Sequence, residues 1–182
     1  MLTRFAVLGT MMGLLAACGA PVTEAGLQFS MSPSGTLGYE VDQSGTITVI
    51  GRNLRFRNTV GGHGVTITRF DIEYFTQDGS PIPAGNNSQE NAVSLFVPPG
   101  IQCLEPDPFT GCTMGMEDWR FAPGPEAISE QSYQLLAVRV AVEHLAAGSP
   151  MGWYADITFS GFTATGGAFS TQSYRLAISP PD

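Results

Sequence analysis

Between Pro98 and Ala127 the chain gathers most of its chemically suggestive side chains. Glu105, Asp107, Glu117 and Asp118 bring carboxylates close together in sequence. Carboxylates in a constrained loop suit Ca²⁺, which takes oxygen ligands. A pair such as Glu105 and Asp107 is also the equipment of a glycoside hydrolase. The spacing D-x-[DN]-x-[DN]-G is absent, so these residues read first as a solvated acidic loop. The two histidines, His63 and His144, are few for a metal enzyme and supply one general base at best. His63 lies among glycines and reads as an exposed turn residue; His144, after Glu143 at a strand end, gets a similarly plain reading. No G-x-S-x-G, H-E-x-x-H, phosphate-binding loop or G-x-G-x-x-G occurs. The expectation is a protein that is not an enzyme and uses no metal and no cofactor. The same stretch carries Phe109, Met114, Met116, Trp119, Arg120 and Phe121, residue types enriched in binding patches. Two readings of them stand side by side: a satellite core that pins a long loop to the body, or a contact surface. The loop is the best candidate binding site.

What positions this loop follows from composition. The chain has 182 residues, 43% of them hydrophobic and only 13% charged, which excludes a disordered chain. Its 22 Gly and 13 Pro argue against a helical bundle and for short strands joined by turns. The net charge is −8, all eight basic residues are Arg, and no basic block exists. Binding to nucleic acid is excluded, since phosphate neutralisation needs clustered cations.

The N-terminus gives an address. Arg4 precedes an apolar run from Phe5 to Ala17, which is too short to span a bilayer and has the plan of a secretory signal. Leu15-Ala16-Ala17-Cys18 resembles the lipobox of bacterial lipoproteins. The resemblance implies cleavage before Cys18, a diacylglyceryl group on its sulfur and often a further acyl chain, such as palmitate, on its amino group. Two or three chains give stable membrane anchoring where one gives marginal binding. Gly19, in place of Asp, implies the outer membrane rather than the inner one in a host that has both. Loss of residues 1–17 would leave 165 of the 182 residues and remove Arg4, so seven basic residues would face sixteen acidic ones, a charge of −9. An acidic body is repelled by an anionic surface, so it is expected to stand off on its tether.

With Cys18 assigned to the lipid, Cys103 and Cys112 remain. Exported chains meet an oxidising compartment, and an even remainder suggests a Cys103–Cys112 disulfide. Closing so short a loop is worth roughly 2.7 kcal/mol in the chain-entropy account.

The expected division is a signal peptide over 1–17, a lipidated Cys and tether over 18–35 with a first strand possible at 26–30, and a β-sandwich over 36–182 with an inserted loop at 98–127. Period-two alternation marks strands at Ile47–Val49, Leu54–Arg57, Arg69–Phe75, Ala92–Val97 and Trp153–Phe159. Turns fall at 60–64, 77–80 and 165–168. Tyr133–Leu145 has the Ala and Leu content of a helix, but Val138, Val140 and Val142 favour a strand with Leu136 on the same face. About seven or eight strands follow, an all-β antiparallel sandwich. The closing stretch Ala155–Ile178 resembles the last strands of immunoglobulin-like and fibronectin type III-like modules. The function expected is a lipid-anchored, non-enzymatic module of the cell envelope that contacts another envelope protein. The alternative is a carbohydrate- or small-ligand-binding lipoprotein in which Trp119, Trp153 and tyrosines stack on the ligand.

Overall fold

Alternating apolar residues can bury one side of an extended chain only if a second layer covers them. A computed structural model shows how this chain does so; it describes residues 22–23, 26–82, 91–105, 108–109 and 119–181. Along the chain run β1 (Val22–Thr23), β2 (Leu27–Ser32), β3 (Tyr39–Val41), β4 (Ile47–Val49), β5 (Arg52–Asn58), β6 (Val65–Phe75) and β7 (Asn91–Val97). Then come β8 (Ile101–Cys103), β9 (Trp119–Phe121), β10 (Ala127–Tyr133), α1 (Val138–Ala146), β11 (Tyr154–Thr163), β12 (Ala168–Ser170) and β13 (Tyr174–Ala177). The larger sheet has the order β1-β12-β11-β6-β7, with β13 also on β11; the smaller is β10-β5-β2. All these pairings are antiparallel except β1 on β12.

The two sheets meet through aromatic rings. Phe159 of β11 lies 4.8 Å from Phe29 of β2 and 4.7 Å, edge to face, from Phe56 of β5. Phe70 of β6 meets Tyr133 of β10 at 5.4 Å. One continuous apolar cluster runs from Leu27 to Ile178.

Strand β6 switches its buried parity. Val65 and Ile67 face inward, then Phe70, Ile72 and Tyr74 do. Ser160 of β11 pairs with Arg69 and Gly161 with Ile67, so Thr68 is the extra residue of a bulge. Gly161 sits where the bulge crowds it: a methyl group there would lie 2.0 Å from the Thr66 carbonyl oxygen. Gly161→Ala is expected to lower stability by about 1–3 kcal/mol through overpacking against backbone. A melting temperature equal to that of the parent would show that the β6–β11 ladder is not packed this way.

The stretch expected as a strand over Tyr133–Leu145 divides instead. Its start closes β10 and its end is α1. Leu136, Val140, Ala141 and His144 are buried, whereas Val138 and Val142 are about half exposed. That is the three-to-four residue spacing of a helix face, not alternation. The N-terminus of α1 is held by one hydroxyl: Tyr74 donates to Leu135 O (2.9 Å) and accepts from Ala137 N–H (3.0 Å). Burial pushes the Tyr74 phenol up to about 12.

Candidate functional site

The sandwich has two unlike ends. One comprises the turn from Asn58 to Gly64, the segment Pro98–Gly100, the segment Ala122–Gly124 and the β11–β12 turn at 163–167. Asn58, buried, ties this end together. Its side-chain amide donates to His63 O (2.8 Å) and Pro98 O (2.7 Å), and its backbone carbonyl accepts from Gly124 N–H (2.8 Å). Gly61 N–H donates to Gly100 O and Gly100 N–H to Gly62 O, each at 2.8 Å. The approach is so close that a methyl on Gly100 would fall 1.8 Å from Thr59 O. Ala164 N–H donates to Gly64 O (2.8 Å), which joins the β11–β12 turn to the same rim.

From this rim springs the β8–β9 hairpin, with Ile101 opposite Phe121, Gln102 opposite Arg120 and Cys103 opposite Trp119. The predicted loop is therefore partly a two-stranded ribbon. Arg120 is exposed and donates to Gln102 Oε1 (2.9 Å). Phe121 is 73% exposed, and its ring edge faces Gly61. Phe109 is also exposed. The exposure of the Phe121 ring favours the contact-surface reading for that residue. Cys18, Asp107, Cys112, Met114, Met116, Glu117 and Asp118 lie outside the described residues. Glu105 is exposed. Among the described residues no group of three potential metal ligands occurs, and no helix is long and apolar enough to cross a membrane.

Three exposed apolar residues at this rim were not singled out from the sequence: Val60, Phe96 and Phe162. Phe96 and Phe162 both pair with Thr66 of β6, so they flank it on the outer face of the large sheet. Phe96 also covers Gly64, at 3.4 Å from where a methyl would stand. The signal was available. Phe96 and Phe162 are out of phase with Leu95 and Val97, and with Phe159, on their strands.

The opposite end holds α1, the β3–β4 hairpin and the 76–80 turn. Asp42 accepts from the backbone of Ser44 and Thr46 (2.8 Å each) and from the Ser44 hydroxyl; these bonds, the Ser44 hydroxyl first, hold its carboxyl below the usual range. Asp78 is lowered in the same manner, chiefly by the Thr76 hydroxyl. His144 departs from its plain reading as a strand-end residue. It is fully buried, with Nδ1 2.9 Å from the Tyr39 hydroxyl and Nε2 2.9 Å from Pro150 O. Trp153 is buried against it, ring centroids 5.1 Å apart. His63 is exposed in its turn, as expected.

Comparison with protein-family models and with curated proteins finds no match to this chain.

Proposed function

We propose that this protein is a lipid-anchored module of the cell envelope that works by contact rather than catalysis, with the rim around the β8–β9 hairpin as its contact surface. The observation that carries the anchor is Leu15-Ala16-Ala17-Cys18 behind a short apolar run. The surface is supported by Phe121, an exposed apolar ring beside the turn region fixed by Asn58, and by the exposure of Phe109 on the hairpin loop. Large apolar side chains presented together on a rigid frame are what binding surfaces use. The body is proposed to be an immunoglobulin-like sandwich, supported by the two packed antiparallel sheets, with Cys103 and Cys112 bridged across the hairpin loop. Stacking on a carbohydrate gains less support, because Trp153 is inside the protein.

The chain has no Lys, so its one possible primary amine is the α-amino group. In the mature protein, an amine-reactive ester is expected to label Cys18 alone in a diacylated form, and nothing in a triacylated form, even after denaturation. An amine label on any other residue of the major mature form overturns the anchor. Cys18→Ala is expected to leave uncut precursor and to abolish partition of mature protein into detergent.

A further inference from the structure

Ten large apolar side chains stand exposed among the described residues. Six of them, Val60, Phe96, Leu104, Phe109, Phe121 and Phe162, lie on the rim or on the hairpin that springs from it, each at least half exposed. A scattering of single apolar residues would need no explanation; a concentration at one end does.

The chain enters the sandwich at that same end. Gly26 O accepts from Thr59 N–H (2.8 Å), and Leu27 pairs with Asn58, beside the turn that carries Val60. Ahead of it, Val22 pairs with Phe169 in parallel. Because β1 runs parallel to β12, its first residue, Val22, lies at the end of β12 nearer Ala168, the partner of Phe162, and the 163–167 turn. Cys18 is four residues before Val22. Four extended residues reach at most about 14 Å. A lipid-bearing Cys18 sits at the base of a headgroup layer about 5–8 Å deep. The rim can then rise no more than about 10 Å above the headgroups.

We infer that the rim formed by Val60, Phe96, Phe121 and Phe162 rests on the bilayer, so that the body is held end-on against the membrane and does not stand off from it. This rests on the reading of Cys18 as the anchor, and it names the occupant of the contact surface proposed above. Within that reach, apolar side chains gain by burying in the headgroup and acyl boundary, as interfacial helices do with theirs. The net negative charge opposes this mainly through the stretch between β8 and β9, whose sequence carries Glu105, Asp107, Glu117 and Asp118. Glu40, Asp42, Asp78 and Glu143 are exposed at the far end, and a charge more than about 8 Å away is largely screened at physiological salt. Arg120 is the one cation on the hairpin, so the attraction is apolar and works against the local charge.

The test places a benzophenone amino acid, one site at a time, at Phe121, at Phe162 and at Met151 of the full chain in its own envelope. Met151 is 72% exposed at the far end and serves as the reference. After irradiation with a clickable phospholipid present, lipid adduct is expected at 121 and 162, with background alone at 151. The mass of the Cys18 peptide is read in the same sample. Lipid on Cys18 without adduct at 121 and 162 overturns the inference and leaves the anchor standing. Adduct to a protein at those two sites overturns it in favour of a protein occupant. Adduct to lipid with an unmodified Cys18 upholds the membrane contact and removes the anchor. An unmodified Cys18 with no adduct removes both. All three replaced side chains are exposed, so folding is not at stake, and equal melting temperatures confirm that.

Discussion

Phe159→Ala is expected to lower stability by about 3–5 kcal/mol, the cost of emptying a large aromatic site that cannot collapse. Phe159 is fully buried at the centre of β11. Its ring meets Phe29 at 4.8 Å, Phe56 at 4.7 Å, Tyr174 at 6.0 Å and Phe70 at 6.1 Å. Those neighbours come from both sheets, so a truncation strips contact from each of them. For a domain of this size each kcal/mol moves the melting temperature by about 2–4 °C, so a fall of about 10 °C is expected. The paired measurement is Phe162→Ala, three residues along the same strand and 52% exposed. Its effect is expected to stay within about 0.5 kcal/mol, as at most surface sites. Similar losses at the two positions would mean that β11 does not present Phe159 inward and Phe162 outward.

His144→Leu is expected to cost about 2–4 kcal/mol, because it leaves the buried Tyr39 hydroxyl and the partly buried Pro150 carbonyl with fewer partners. Pro150 O can only accept, so Nε2 carries a proton toward it, and in the neutral ring Nδ1 accepts from the Tyr39 hydroxyl. Tyr39 is itself fully buried, and its remaining contact is Ser149 Oγ at 3.3 Å. Losing the ring leaves that hydroxyl with the longer Ser149 contact alone. Removing the hydroxyl as well, in the double variant His144→Leu with Tyr39→Phe, is expected to cost less than the two single changes added together. Removal of both partners of a buried hydrogen bond is cheaper than removal of one. Additive losses within about 0.3 kcal/mol would show that the two side chains do not form a coupled pair. The coupling matters to the fold because it joins the β3–β4 hairpin to α1.

Strands with a clean period of two were legible in the sequence. Phe70, Ile72 and Tyr74, and Ala155, Ile157 and Phe159, each declare a buried face through local spacing alone, and the structure buries all six. The turns at 60–64, 77–80 and 165–168 were legible too, because Gly and Asp announce them locally. The outward rings of Phe109 and Phe121 were half legible: their types marked a candidate surface, yet core and surface uses of an aromatic share one sequence signature. The helix was not legible, since Leu136, Val138, Val140 and Val142 satisfy alternation and only packing shows that Val138 and Val142 stay outside. Burial of His144 was equally hidden, because its partner hydroxyl is 105 residues away and local spacing carries no trace of it. Tertiary structure alone brought Val60, Phe96, Phe121 and Phe162 to one end and set the start of β2 beside them. Each of these residues is exposed for a local reason, the parity of its strand or the turn it sits on. That they share an end, and that β2 starts beside it, depends on how β2, β5, β6 and β11 are ordered and directed, which is a property of long-range pairing and not of any short stretch of chain.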